Sequence, residues 1–128
     1  MNGRYVVDTN VIIKLFRADQ HSIDLFVQAD VICIPAIVAG ELFYGAEKST
    51  LRQKNIMNFT SFLSHYEIIE VDLQIAQSYG EIKAQLMKDG VTLPENDLWI
   101  AATAKAKGYT LISFDEHFTQ VGGLQIIN

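Results

Sequence analysis

The sequence predicts an α/β fold, with a central parallel sheet of four to five strands and helices on both faces. Two observations indicate this class. Short apolar runs alternate with longer segments in which apolar side chains recur every three or four positions, as strands alternate with helices in such folds. The short runs are apolar throughout, which is typical of parallel strands covered on both faces. No internal repeat or linker rich in Pro, Gly or Ser interrupts the pattern, so residues 1–128 are interpreted as one domain.

The individual elements follow from the apolar pattern and from residues that begin or end helices. Pro35 suits the first turn of a helix, Asp72 can cap another, and Gly108 stands where a left-handed C-cap belongs. Ser22 is the expected cap of a short helix. In chain order, the predicted elements are a strand over 5–7, a helix over 10–18, a short helix from 22, a strand over 31–34, helices over 35–46 and 50–66, a strand over 68–71, helices over 72–89 and 97–107, and strands over 110–113 and 124–127.

The formal net charge of −5 and the isoelectric point near 5.0 limit the classes of function. A module that holds nucleic acid by bulk electrostatics is usually basic, so this class is disfavoured. An enzyme that contacts nucleic acid through metal ions and a few lysines is compatible with the composition. An acidic chain also suits a basic protein partner.

Cysteine usage and hydropathy indicate a cytoplasmic protein. The single cysteine, Cys33, lies in an apolar strand and allows no disulfide within the chain. The longest apolar stretch, 31–40, is well short of the roughly 18 residues that a membrane helix needs. The N-terminus has neither a long apolar segment nor a small-residue cleavage site, so we expect no signal peptide.

Four acidic residues are expected to share one edge of the sheet. Asp8 directly follows the first strand, and Asp115 comes shortly after the fourth. Glu41 lies within the apolar stripe of its helix, and Asp97 heads the buried face of another helix. In open parallel sheets, ligand sites lie beyond the carboxyl ends of the strands, where the following helices begin. The four positions therefore predict one cluster of carboxylates.

Each acid alone also has a purely structural interpretation. Asp8 could be the N-cap of the helix behind it, and Glu41 could form an inward salt bridge, although no basic residue shares its stripe. Asp97 could interact favourably with the helix dipole, and Asp115 could be an ordinary turn residue. Their joint placement favours a shared role.

Clustered carboxylates raise one another's pKa and repel each other unless a cation compensates them. Oxygen ligands without Cys or His suit Mg²⁺ or Mn²⁺ rather than Zn²⁺. Asn10 and Ser113 are candidates for supporting oxygens or hydrogen bonds around the ligands. His21, His65 and His117 are scattered and lack ligand spacing, so we expect them on the surface or partly packed and outside the site.

Three segments of the chain resemble the PIN-domain family: VVDTNVII, PAIVAGELFYGA and LPENDLWIAATAKAKGYTLISFDEHF. The resemblance covers nearly the whole chain and is closest to the small toxins of VapBC-type toxin–antitoxin pairs. It implies a PIN-like domain whose catalytic, metal-binding acids are Asp8, Glu41, Asp97 and Asp115. Ser113 stands where the family often has Thr.

The resemblance implies a Mg²⁺- or Mn²⁺-dependent endoribonuclease that hydrolyses RNA phosphodiester bonds. It further implies a homodimer and a cognate antitoxin that silences the toxin. Divalent ions can neutralise phosphoryl oxygens and activate water, so no protein nucleophile is required, and none is apparent. Lys14, Arg17, Arg52 and Lys54 are candidate phosphate contacts or, equally, members of a solvated face.

Other classes of function stay open at this point. A receiver-type Mg²⁺-binding signalling domain has similar length and alternation, but it needs a phospho-accepting Asp after the central strand and a Lys after a late strand, and the sequence has no such Lys. A non-catalytic PIN-like binding module is the second alternative, and the intact set of four acids speaks against it. DNA as the substrate, or a metal-dependent phosphatase activity, also fits the residues.

Overall fold

Five parallel strands form one sheet in the computed structural model, which describes residue 1 and residues 3–128. The strand order is third, second, first, fourth and fifth, so the first strand is central. Consecutive side chains of the first two strands are buried although they point to opposite faces, so both faces of the sheet are covered. This confirms the predicted α/β class. The strands are β1 (Arg4–Val7), β2 (Val31–Pro35), β3 (Glu67–Ile69), β4 (Thr110–Ile112) and β5 (Ile126–Ile127).

The described residues form six α-helices and one 3₁₀ helix. They are α1 (Thr9–Phe16), α2 (Gln20–Gln28), α3 (Ala36–Glu47), α4 (Arg52–Leu63), α5 (Leu73–Lys88), α6 (Glu95–Lys107) and the 3₁₀ helix (Glu116–Gln120). α6 is buried at Leu98 and at every position from 100 to 104, because it packs against α3, α5, β1 and β4. Among the described residues, no helix combines the length and the apolar character needed to cross a membrane.

Capping interactions set where helices begin, and one predicted cap is wrong. Asp19, not Ser22, caps α2, because its carboxylate accepts hydrogen bonds from the amide (3.1 Å) and the hydroxyl (2.9 Å) of Ser22. Both residue types cap helices well, so the sequence pattern did not distinguish them. Asp72 caps α5 through the amide of Ile75 at 2.9 Å, as predicted.

Several element boundaries differ from those predicted. β3 begins and ends earlier than the predicted 68–71. Val71 lies outside the sheet and is exposed. α6 begins at Glu95 with Pro94 in its N-cap position, so Asp97 is the third residue of the helix. α4 and β5 are shorter than predicted. The 3₁₀ helix was not predicted, because five residues with one buried side chain leave no periodic pattern.

Gly108 ends α6 in the left-handed conformation, with φ of 71°, as predicted. A Cβ added there would meet no atom within 4 Å, so a substitution acts through the backbone alone. We expect Gly108→Ala to lower the free energy of unfolding by about 1–2 kcal/mol. Gly80, inside α5 with similarly open surroundings, is the matched control, and Gly80→Ala should raise it by about 0.5–1 kcal/mol. Denaturant unfolding measures both changes, and effects of equal sign would contradict the expected backbone strain.

Candidate metal centre

The topology brings the four predicted acids from separate parts of the chain to one edge of the sheet. Asp8 follows β1, Glu41 lies in α3, Asp97 is in the first turn of α6, and Asp115 precedes the 3₁₀ helix. The amide of Asp8 donates to the carbonyl of Ile112 at 2.9 Å, which holds the carboxyl ends of β1 and β4 side by side. Side-chain contacts then link the acids to one another.

Asp8 is buried, with 5% of its surface exposed, whereas the other three acids are partly exposed. Its Oδ2 accepts a hydrogen bond from the hydroxyl of Ser113, and its Oδ1 accepts one from the amide of Thr9, both at 2.8 Å. Burial raises the pKa of Asp8 to about 6; the two hydrogen bonds oppose the shift, and the nearby carboxylates of Asp97 and Glu41 add to it. Asp8 therefore caps α1 and also carries a desolvated charge that a cap does not need.

The side chain of Glu41 is oriented by the hydroxyl group of Thr9 rather than by a lysine or arginine. Its Oε1 accepts a hydrogen bond from Oγ1 of Thr9 at 2.8 Å. Within the described part of the chain, no lysine or arginine forms an ion pair with Glu41, so an inward salt bridge does not explain its position. Because Thr9 adjoins Asp8, this hydrogen bond ties α3 to the start of α1.

His117 lies between Asp97 and Asp115, and the expectation that all three histidines stay outside the site is wrong for this residue. Its Nε2 is 2.8 Å from Oδ2 of Asp97, and its Nδ1 is 3.0 Å from Oδ1 of Asp115. One potential ligand atom from each of the three residues lies within 4.8 Å of the other two. Burial raises the pKa of Asp97, the contact with His117 opposes this, and the carboxylates of Glu41 and Asp115 raise it further.

A signal for His117 was present in the sequence. The residue stands two positions after Asp115, in the turn that follows β4, and this turn lies at the edge of the sheet that carries the acids. Its other partner, Asp97, lies on a different helix, so no spacing along the chain could reveal that contact. His21 and His65 are exposed, as expected.

The two predicted supporting residues, Ser113 and Asn10, differ in their contacts. Ser113 is buried, donates to Asp8 and accepts a hydrogen bond from the amide of Asp115 at 3.0 Å, so it couples two of the acids. Oδ1 of Asn10 is enclosed and has no hydrogen-bond donor among the described residues. An enclosed acceptor without a donor is unfavourable, and a cation or a water molecule would satisfy it.

The chemistry of these groups fits a divalent cation. The pKa values of Asp8 and Asp97 are raised because the fold desolvates them beside other acids, so a positive charge placed among them would be favourable. Carboxylate oxygens are the ligands that Mg²⁺ and Mn²⁺ prefer in proteins. The assignment of the four acids as catalytic metal ligands stays a prediction.

We expect Asp8→Asn to stabilise the metal-free protein at about pH 8. An acid whose pKa is higher in the folded than in the unfolded chain binds its proton more tightly when folded, so the free energy of unfolding falls as the pH rises from about 4 through about 6. Asn lacks the charge and can still pair with the amide of Thr9 and the hydroxyl of Ser113. The gain at pH 8 should be about 1–3 kcal/mol and should shrink towards pH 4.

Denaturant unfolding in EDTA between pH 4 and pH 8 measures this difference. Glu116→Gln is the control, because Glu116 is an exposed acid next to Asp115 and its removal should have a small effect at every pH. If Asp8→Asn lowered the free energy of unfolding throughout the range, capping of α1 would outweigh the cost of the buried charge, and the expected sign would be wrong.

Comparison with known proteins identifies the family. The family model of the PIN domain matches residues 5–124. Ribonuclease VapC2 of Haemophilus influenzae is 38% identical over 112 residues, which cover 86% of this chain and 85% of the relative. The tRNA(fMet)-specific endonuclease VapC of Shigella flexneri is 29% identical over 125 residues, which cover 95% of this chain and 95% of the relative.

Solved structures share the architecture described above. A chain of VapBC2 from Rickettsia felis, crystallised with a DNA fragment from the promoter, superposes with a TM-score of 0.91 at 28% identity, and 98% of each chain is covered. A chain of DNA-bound VapBC from Salmonella typhimurium gives a TM-score of 0.90 at 29% identity, with 97% of this chain and 96% of that chain covered. The protein therefore belongs to the PIN-domain family and, within it, to the VapC type.

Proposed function

We propose that the protein is an endoribonuclease that hydrolyses RNA phosphodiester bonds with Mg²⁺ or Mn²⁺ and acts as the toxin of a toxin–antitoxin pair. The observation that carries the proposal is the set of carboxylates gathered around the buried Asp8. The ribonuclease names of the VapC relatives support the reaction class. They do not favour the receiver-type and non-catalytic alternatives.

The four acids of the site would hold the ion, which when bound supplies charge neutralisation at the phosphate and a water that is nucleophilic near neutral pH. The hydroxyl groups beside the acids serve to position them. Thr9 and Ser113 both donate to carboxylates, and Ser113 also accepts a hydrogen bond, so neither hydroxyl is poised as a nucleophile. This matches a reaction in which water attacks the phosphorus directly.

A groove beside Glu41 offers a path for an RNA strand. It has a volume of about 720 Å³ and runs between α1 and α3. Tyr44, one helical turn from Glu41, lines the groove with 66% of its surface exposed, and Nζ of Lys48 lies 4.8 Å from the centroid of its ring. An exposed ring beside a cation suits a stacked base with its phosphate. We assign the nucleotide next to the cleaved bond to this groove.

The basic residues named from the sequence differ in how freely they could meet phosphate. Arg52 pairs with Glu47 at 2.7 Å, so its charge is already used in part. Nζ of Lys14 lies 5.0 Å from the ring centroid of Phe114, the residue before Asp115, which places a positive charge near the turn that carries this acid. Arg17 and Lys54 are exposed. Lys14 is therefore the best placed of the four.

We further propose two protein partners, a cognate antitoxin and a second copy of the chain. The solved relatives are complexes named VapBC, and the net charge of −5 suits a basic partner segment. Several large apolar side chains are between 60% and 86% exposed and could contact such partners: Val27, Leu51, Met57, Leu73 and Met87.

Asp97→Asn tests the metal-dependent reaction. We expect RNA cleavage to fall by about a hundredfold or more, because a ligand charge is lost from the site. The metal-free variant should be no less stable than the wild type, since the pKa of Asp97 is raised by burial, and its melting temperature should rise less on addition of Mn²⁺. Cleavage assays and thermal melts across a Mn²⁺ titration measure these effects.

Glu116→Gln is again the matched control, because it removes one exposed negative charge from the same edge and should keep both cleavage and the response to Mn²⁺. Full cleavage in excess EDTA would refute the metal-dependent mechanism. Full cleavage by Asp97→Asn would refute the role of this acid.

Tyr44→Ala tests the groove. Loss of base stacking should weaken binding of single-stranded RNA by about 1–3 kcal/mol, which is roughly 5- to 150-fold. The fold should be unaffected, because the side chain is exposed. Tyr44→Phe keeps the ring and should bind like the wild type. Fluorescence anisotropy with a labelled oligonucleotide, in Ca²⁺ to prevent cleavage, measures the affinities. Equal affinity for all three proteins, or a change only in the oligomeric state, would assign Tyr44 to a different surface.

A further inference from the structure

The neighbours of His117 in the chain place its side chain beside the acids. His117 lies in the 3₁₀ helix directly before Phe118, which is fully buried in the core and anchors that turn. The ring centroids of the two residues are 4.9 Å apart. At the start of the turn, the amide of Asp115 is fixed by the hydroxyl of Ser113. The packing of Phe118 and the hydrogen bond at Asp115 therefore direct the imidazole of His117 into the site.

The two ring nitrogens of His117 have different surroundings. Nδ1 lies 3.0 Å from Oδ1 of Asp115, at hydrogen-bonding distance. Nε2 is enclosed and lies 2.8 Å from Oδ2 of Asp97, and this contact opposes the rise that burial causes in the pKa of that carboxyl group, although its angle falls short of a well-directed hydrogen bond. A ring nitrogen enclosed this close to a carboxylate is placed to share an ion with that carboxylate.

The separation of these two atoms matches that of neighbouring ligands on one ion. On an octahedral ion with bonds of 2.0–2.1 Å, adjacent ligand atoms are about 2.9 Å apart. The 2.8 Å between Nε2 of His117 and Oδ2 of Asp97 is close to this value. A ligating histidine almost always donates its other ring N–H to a carboxylate or carbonyl, and Oδ1 of Asp115 lies 3.0 Å from Nδ1.

We propose that Nε2 of His117 is a direct ligand of the divalent ion, beside Asp97, and that it shifts the preference of the site from Mg²⁺ towards Mn²⁺. Both ions prefer oxygen ligands, but Mn²⁺, as a transition metal, accepts an imidazole nitrogen more readily than Mg²⁺ does. The inference rests on the proposed function only in assuming that the acids hold an ion. It adds a ligand that the four carboxylates do not supply.

Pulsed electron paramagnetic resonance of the Mn²⁺-loaded protein tests the proposal without measuring activity. The wild-type protein should show hyperfine coupling to a directly bound imidazole nitrogen, and the coupling should change when histidine is labelled with ¹⁵N. His117→Gln should abolish it. His65→Gln is the control, because His65 is exposed, lies beyond α4 and bonds through its ring to the carbonyl of Ser61 at 2.8 Å, so the coupling should persist.

Metal affinities give a second readout. His117→Gln should weaken Mn²⁺ binding by about tenfold or more and leave Mg²⁺ binding nearly unchanged, as measured by calorimetry with each metal alone. Equal loss for both metals would mean that His117 only positions the acids, and would overturn the ligand role. If the variant failed to fold, as judged by circular dichroism, the labelled wild-type spectrum would decide alone.

The outcomes separate this inference from the proposed function. Mn²⁺ bound without nitrogen coupling in the wild type would overturn the role of His117 and leave the carboxylate site standing. Absence of Mn²⁺ binding with Mg²⁺ binding retained would also overturn only the role of His117, whereas absence of binding of both metals would overturn both proposals. Nitrogen coupling that is lost in His117→Gln but kept in His65→Gln would establish the ligand.

Discussion

The buried carboxylate of Asp8, at the end of the central strand, is the constraint on which the arrangement of the site depends. Burial raises its pKa to about 6, so near neutral pH the folded chain holds a charge that its surroundings disfavour. Hydrogen bonds from Ser113 and the amide of Thr9 offset part of this cost and also fix both carboxylate oxygens. A bound cation would offset the rest of the cost of burying the negative charge of Asp8.

Parallel topology explains how distant residues meet at this carboxylate. β1 lies between β2 and β4, so the segments that follow these strands all leave from one edge of the sheet. Ser113 reaches Asp8 across 105 positions of sequence because β4 pairs directly with β1. α3 follows β2 and brings Glu41 to the same edge, where its carboxylate accepts a hydrogen bond from the hydroxyl of Thr9. Each contact joins a neighbouring strand or helix to the centre, and together they form one connected network.

The sequence was sufficient where local chemistry decides the structure. Apolar runs predicted β1, β2 and β4, because strands covered on both faces require them, and Gly108 and Asp72 marked helix ends through backbone geometry and capping. It was insufficient where competing residues satisfy the same rule, as at Asp19 and Ser22, or where an edge strand is only partly covered, as in β3. The contact between His117 and Asp97 depends on side chains of two elements, so periodicity within either element carries no information about it.

The acidic charge of the chain constrains how an RNA can be held at this edge. Four of the ten lysines and arginines form ion pairs with acids within the described residues, namely Arg4, Arg52, Lys83 and Lys107, so six are left in a chain whose net charge is −5. Attraction to phosphate would then be local, from Lys14 at the ring of Phe114, from Lys48 at the ring of Tyr44 and from the ion that the acids would bind. The same ion would both attract the substrate and activate the water. Under the proposed function, a metal-free chain would therefore lose affinity for RNA together with its activity, because the acids alone repel the backbone.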